Sequence, residues 1–356
     1  MSRGKLMAMI SFYDETQMAA WRRRLRLEPQ RLRDCRNRFC KHSRPVDEAI
    51  AALREPAAEA AFRTEVRWQW LELVERHDSE VDGASKLVLR THDGFLVEAV
   101  ILRIKSGRTS LCVSTQVGCA VRCRFCATGR GGLQRNLEAG EIIDQLVQAN
   151  RLLQPEGRQV RNIVFMGMGE PFHNETAVRE AVERFRSPAW FGISDRHLTI
   201  STVGIPEAMW RWREQLPQVY QALSLHSARQ EIREQLIPLA RQYPLDDLRR
   251  AMLDIAAGSD RRLMIEYLML DGLTDTDADL TALAAWLEGI PAHLNLIRYN
   301  SGPDGDPTLR PSAEPRLQTF AEAMRPRVAA LTVRYSLGAD IVAACGQLAG
   351  KHNLKT

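Results

Sequence analysis

The sequence predicts an α/β fold: a partial, open TIM-type β/α barrel of about six units, preceded by a small, mostly helical N-terminal domain and a β-hairpin. Three observations predict it. From residue 111 onward, short β-rich runs at 112–117, 161–166, 197–202, 219–225, 263–269 and 293–298 alternate with helix-like stretches. Those stretches fall at about 138–153, 175–186, 206–215, 244–257 and 276–288. Such alternation means parallel strands joined by right-handed crossovers. Six runs are fewer than the eight that close a full barrel, so the barrel is expected to be open, with its chemistry at the C-terminal strand ends. Ahead of it, apolar residues recur at helical spacing around Met18 to Leu27, Ala49 to Leu53 and Ala61 to Val74. A turn at Asp82-Gly83 and a β-rich stretch from Leu87 to Ile104, broken at Asp93-Gly94, suggest the hairpin. The units are read as 1–85, 86–110 and 111–350.

Composition narrows the class. The chain has 356 residues, 45% hydrophobic and 26% charged, as a soluble globular protein would. No run reaches the roughly 18 apolar residues of a membrane span, and no apolar leader precedes a cleavage site. A cytoplasmic protein with no membrane partner is expected. Seven cysteines, four of them between Cys112 and Cys126, make a poor disulfide framework and point to metal or redox chemistry in a reducing compartment. Residues 1–44 carry a net charge of +8 against +5 for the whole chain. A basic segment on a near-neutral body suits phosphate contact, although a solvated helix face would look the same.

The chemistry concentrates in Gly118-Cys119-Ala120-Val121-Arg122-Cys123-Arg124-Phe125-Cys126, just after the first barrel strand. Three thiolates at spacings of four and three can wrap one face of a 4Fe–4S cluster, which wants four ligands, and so leave one iron open. An open iron can chelate the amino and carboxylate groups of S-adenosylmethionine and pass an electron to its sulfonium. The competing reading is a zinc site of three cysteines and a histidine such as His42, His92 or His226, but zinc ribbons pair C-x₂-C units and a second pair is missing.

Here the sequence resembles the radical S-adenosylmethionine superfamily, and within it the RlmN/Cfr family of RNA adenine methyltransferases. The likeness runs from about Ser79 to Gly350. It rests on Asp82-Gly83 through Val97-Glu98, Leu111 to Gly129, Phe165 to Pro171, Ile200-Ser201-Thr202, Ser224-Leu225-His226-Ser227, Asn295 to Asn300 and Ala343 to Leu348. The resemblance implies one 4Fe–4S cluster on Cys119, Cys123 and Cys126. It implies S-adenosylmethionine contacts from Gly169, Glu170, Ser201, Ser224, Leu225, His226 and Asn300, with two molecules used per turnover. It implies that Cys345 takes a methyl group and carries it to C2 or C8 of an adenine, and that Cys112 resolves the resulting thioether through a transient disulfide. Glu98 is cast as the proton acceptor. By the residues alone, Cys112 and Cys345 could be packing thiols, and Glu98 could face solvent on a strand. The implied partners are 23S rRNA in its peptidyl-transferase region, tRNA as well for the RlmN branch, and a reductant such as flavodoxin. Arg298-Tyr299 and the short link from Leu153 to Arg161 lean toward the Cfr branch, which targets C8. Cys35 and Cys40 match no assigned role.

Two other functions compete. A radical S-adenosylmethionine enzyme acting on a protein or small molecule would need neither Cys112 with Cys345 nor a basic segment. A non-enzymatic, zinc-containing RNA-binding module would be colourless and free of sulfide.

Overall fold

A computed structural model describes residues 9–104, 106–257, 263–302 and 305–348. Arg3 and Lys5 of the basic segment, and the end of the 111–350 unit at Gly350, lie outside the described residues. The frame is a single ten-stranded sheet whose strands lie in strict chain order. Its strands are β1 (Leu71–Asp78), β2 (Ala84–Thr91), β3 (Leu96–Arg103), β4 (Thr109–Cys112), β5 (Asn162–Phe165), β6 (Leu198–Thr202), β7 (Tyr220–Ser224), β8 (Leu263–Met269), β9 (Ala292–Arg298) and β10 (Ala330–Arg334). The pairs from β4 to β10 are all parallel, and those from β1 to β4 are antiparallel.

The parallel half is the open barrel that the alternation predicts. The helices Ala139–Leu153, Glu175–Arg186, Pro206–Gln215, Leu245–Ala257, Asp277–Leu287 and Glu314–Met324 each cross from one strand to the next, giving six β/α units. A seventh parallel strand, β10, closes the series. Its sequence, Ala-Leu-Thr-Val-Arg, is short and nowhere fully buried, so it lacks the apolar run that marks the inner strands. Inner strands such as β8 (Leu-Met-Ile-Glu-Tyr-Leu-Met) are covered on both faces and read as near-continuous apolar runs.

The helical periodicity expected through Val74 stops earlier. The helix Pro56–Glu65 ends there, and residues 71–78 form β1 instead. The backbone N–H groups of Trp70 and Leu71 both donate to Asp144 Oδ2, at 2.9 and 2.8 Å, which turns the chain into the sheet. The hairpin is therefore the second half of a three-stranded meander, β1–β2–β3. Its turn lies where the sequence places it: Gly94 N donates to Thr91 O at 3.0 Å and Thr91 N to Phe95 O at 2.8 Å.

The helices Glu15–Arg24, Pro29–Arg36 and Pro56–Glu65 bury Phe12, Met18, Trp21, Leu27, Cys35, Phe39, Cys40 and Phe62 in one core continuous with the barrel. Cys35 and Cys40 are thus packing thiols, pushed up to about 12 and higher by burial. The exposed side chains of this segment include Arg23, Arg24, Arg26, Arg33, Arg38 and Arg44. The barrel helix Ala139–Leu153 forms the seam, buried on nearly every side. Among the described residues no helix is long and apolar enough to cross a membrane.

Candidate active site

The C-terminal ends of the parallel strands surround a cavity of about 730 Å³. Each parallel strand delivers a wall residue: Cys112 from β4, Gly169 and Glu170 after β5, Ser201 from β6, Ser224 and His226 from the end of β7, Glu266 and Leu268 from β8, Ile297 from β9 and Arg334 from β10. Cys126 from the cysteine loop and Cys345 from the C-terminal tail complete the wall.

The cysteine loop leaves a short strand, Gln116–Gly118, that pairs with Leu133–Asn136. Gly118 has φ +79°, and a Cβ there would lie 1.8 Å from Gly132 O, so only glycine lets the two strands approach. Cys119 N donates to that same Gly132 O at 3.0 Å, and Cys126 N donates to Cys123 O at 3.1 Å. Arg122 takes φ +58°, a left-handed conformation that a non-glycine residue holds only where its surroundings enforce it. Burial raises Cys119 to about 12 and Cys123 well above its ordinary value, with Glu170 adding to both. The fully buried Arg233 guanidinium acts in the opposite sense on Cys123. It is anchored by its Nε, which donates to Leu225 O at 3.2 Å, and it also donates to Val203 O.

The donor set suits a cluster better than zinc. Among the described residues, His92, Glu138 and Glu141 form the one set of three or more His, Cys, Asp and Glu ligand atoms within 4.8 Å of one another. At least one separation among the three sulfurs therefore exceeds 4.8 Å, wider than the edge of a tetrahedral zinc site, about 3.8 Å for Zn–S bonds of about 2.3 Å. The wall also holds two buried polar atoms with no protein partner, His226 Nδ1 and Glu266 Oε2. Such orphans are rare and mark where a bound molecule or water completes the bond.

Glu170 is a fixed part of the wall. Its Oε1 accepts Phe172 N at 3.0 Å and its Oε2 accepts Val203 N at 2.9 Å, while its own N donates to Gln116 Oε1. Burial nevertheless raises its carboxyl to about 7. Gly169, at φ +101°, presses against the Gln116 side chain, which a Cβ would meet at 2.6 Å. His226 has φ +58°, and its ring stands edge-on to Phe125 at 4.8 Å. Burial, then Arg233, drops its pKa to about 3, so the imidazole is neutral. Ser201 and Ser224 place their hydroxyls 3.4 Å apart on adjacent strands.

Cys112 and Cys345 meet here although 233 positions separate them. The tail carrying Cys345 is tied to the cysteine loop: Ala127 N donates to Gly346 O at 2.7 Å, and Thr128 Oγ1 donates to Leu348 O at 2.5 Å. Gly338 N donates to Asp82 Oδ2 at 2.8 Å, fixing the start of the tail to the β1–β2 turn. Cys345 is accessible, but its free surface is the cavity wall, and enclosure by that wall raises its thiol, opposed by Arg334. Cys112 is raised to about 12 by burial and by Cys345, with Arg334 again opposing. Arg334 Nη1 stands 3.9 Å from both Met166 Sδ and Glu266 Oε1.

The remaining candidates fall behind the wall. Glu98 is 6% exposed, so it does not face solvent. It shares a sheet face with Val100, which pairs with Cys112, because side chains two apart point the same way. Its carbonyl accepts Ser114 Oγ at 2.6 Å. Leu225 is fully buried, its N donating to Glu266 O at 3.1 Å and its O accepting Arg233 Nε at 3.2 Å. Asn300 Nδ2 donates to Arg298 O and Ser336 Oγ, at 3.2 and 3.0 Å.

Sequence reasoning missed Glu266, Arg233 and Arg334. Glu266 had a signal, since a carboxylate interrupts the apolar run of β8 just as Glu98 interrupts that of β3. Arg334 had none, because its strand went unrecognised.

A family model described as the radical SAM superfamily matches residues 113–285. A protein of Rhodopirellula baltica named "Probable RNA methyltransferase" is 45% identical over 346 residues, 97% of this chain and 89% of that protein. The "Dual-specificity RNA methyltransferase RlmN" of Anaeromyxobacter dehalogenans is 44% identical over 306 residues, 84% of this chain and 79% of that one. A crystal structure of a radical SAM methyltransferase from Sphaerobacter thermophilus superposes with a TM-score of 0.90 at 35% identity, covering 96% of this chain and 99% of that chain.

Proposed function

Because the chain belongs to the RlmN/Cfr family of radical S-adenosylmethionine enzymes, with their 4Fe–4S cluster and S-adenosylmethionine as cofactors, we propose that it methylates C2 or C8 of an adenine in 23S rRNA, with tRNA as a further substrate. The observation that carries this reading is the meeting of Cys112, Cys126 and Cys345 on one cavity at the barrel mouth. When bound, the cluster and two molecules of S-adenosylmethionine supply a methyl group, an electron and a 5′-deoxyadenosyl radical, the electron coming from a reductant such as flavodoxin.

Cys119, Cys123 and Cys126 would hold the cluster as thiolates. Gly169, Glu170, Ser201, Ser224, Leu225, His226 and Asn300 orient S-adenosylmethionine. Cys345 receives the methyl group on sulfur and, after loss of one hydrogen atom, carries the methylene to the adenine carbon. Glu98, on the sheet face of Val100 and Cys112, accepts the proton that the adenine carbon gives up, and the electron left on the adduct would return to the cluster, which supplies one. The Cys112 thiolate then attacks Cys345 Sγ: the S–S bond forms, the S–CH₂ bond breaks, and the carbon takes a proton to become the methyl of the product. The disulfide is reduced before the next turnover.

The test is mass spectrometry of nucleosides from 23S rRNA and tRNA of a host lacking its own enzyme, with and without this protein. Appearance of 2-methyladenosine or 8-methyladenosine supports the reading and fixes the carbon. The absence of both from RNA incubated with cluster-loaded protein would overturn it.

A further inference from the structure

Four large apolar side chains stand exposed among the described residues, and two of them, Val81 and Tyr335, lie on the rim of the one cavity that holds Cys345. Tyr335 is 52% exposed and Val81 is 81% exposed. The Tyr335 phenol is held in place, its hydroxyl donating to Glu314 Oε1 at 2.6 Å. Gln318 Nε2 donates to the same carboxylate oxygen at 2.7 Å, so the anchor is itself anchored. The hydroxyl is thus spoken for by the protein, and what the residue offers outward is a ring of fixed orientation. Arg298, exposed at the end of β9, places its positive charge close enough to act on both Tyr335 and Glu314.

A fixed, half-exposed ring beside a cation, at the mouth of the cavity that holds Cys345, is an arrangement that receives an unstacked nucleobase. Enzymes that act on a ring carbon must take the base out of its stack, and they recover the lost energy by stacking on aromatic side chains. Cys345 lies in the cavity wall and Tyr335 at its exposed edge, so the ring is placed for a base outside the one that Cys345 reaches. Accepting the RNA adenine as the substrate of Cys345, we infer that Tyr335 stacks on the base of the nucleotide next to the target adenine, with Arg298 on the adjoining phosphate and Val81 against the sugar or base edge across the mouth.

The experiment uses cluster-loaded enzyme and a labelled 23S rRNA fragment carrying the peptidyl-transferase adenines. Dissociation constants come from filter binding, and methyladenosine yield from mass spectrometry. Tyr335→Ala should weaken RNA binding and raise KM on the order of tenfold, the range that loss of one base–aromatic stack allows. Tyr335→Phe and Tyr335→Trp keep a ring and should stay within about twofold of wild type. RNA-independent formation of 5′-deoxyadenosine should be the same in all four proteins, which shows that the cofactor site is intact. Wild-type binding by Tyr335→Ala would overturn the inference. So would a Tyr335→Phe variant as weak as Tyr335→Ala, since the bond to Glu314 and not the ring face would then matter. A wild-type enzyme that forms no methyladenosine would instead remove the substrate reading on which this rests, and the wild-type arm alone reveals it.

Discussion

The two non-cluster thiols should fail differently when removed, and the structure sets the size of one of the effects. Cys345→Ala has nothing to carry the methylene, so no carbon should reach RNA. Cys112→Ala should still form the methylene bridge and stall there, leaving protein covalently bound to RNA. In the wild-type enzyme the resolving step needs the Cys112 thiolate. Burial, with Cys345 adding to it in the free enzyme, holds that thiol at about 12, where roughly three molecules in 100,000 carry the thiolate at pH 7.5, against about a tenth for a free cysteine. Alkylation of Cys345 removes its share and leaves burial. Deprotonation thus costs up to about 6 kcal/mol of the resolving barrier at that pH. Because the thiol titrates far above the assay range, the thiolate fraction rises tenfold for each pH unit. Decay of the protein–RNA adduct should therefore climb with a slope near one between pH 7 and 9. A denaturing gel with labelled RNA, sampled after a single turnover, measures both the adduct and its decay. Neither substitution should unfold the protein, since Cys345 faces the cavity and Cys112→Ala removes one sulfur from a buried site. Methylated RNA at wild-type levels from Cys345→Ala, or adduct decay indifferent to pH, would refute this account.

Cys123→Ala should lose iron, sulfide and the cleavage of S-adenosylmethionine to 5′-deoxyadenosine together, because two thiolates no longer cap one cluster face; anaerobic metal and sulfide analysis checks it. Removing residues 1–44 would strip Trp21, Leu27 and Phe39 from the core, so the basic segment is better tested by charge. Arg23→Ala with Arg26→Ala should weaken RNA binding and lower the salt slope by about 1.5 without changing the methylated carbon, read from binding isotherms at several salt concentrations. Asp144, raised by burial to about 6 from an ordinary value near 3.8, holds more protons folded than unfolded between those values. Stability should accordingly fall by up to about 3 kcal/mol as pH rises from 4 to 6. Asp144→Asn keeps an acceptor for Trp70 and Leu71 and should flatten that dependence in urea titrations, whereas Asp144→Ala leaves two N–H groups unpaired and should lower stability by about 2–4 kcal/mol.

What the sequence determined on its own is what can be expressed within a few consecutive residues. Cys119, Cys123 and Cys126 occupy one loop, so their spacing alone carries the ligand geometry. The inner barrel strands are apolar on both faces and the helices between them amphipathic, so the alternation shows in one dimension. Gly169-Glu170, Ser201 and Ser224 to His226 lie at or just after strand ends, which the order of elements already locates. The tertiary structure decided whatever depends on partners distant in the chain. Residues 71–78 became a strand because Asp144, at Leu71, and β2 satisfy their backbone, although the apolar spacing through Val74 suits a helix. Period-two alternation left Glu98 two faces to choose between, and only the barrel packed against β3 buries it. β10 is a strand through its pairing with β9, not through its own pattern. The meeting of Cys112 with Cys345 has the same origin: bonds from Ala127 and Thr128 to the tail, and from Gly338 to Asp82, fold the chain's end across the barrel mouth. A hydrogen bond between residues more than two hundred positions apart leaves no local periodicity, and so no trace that a linear reading can follow.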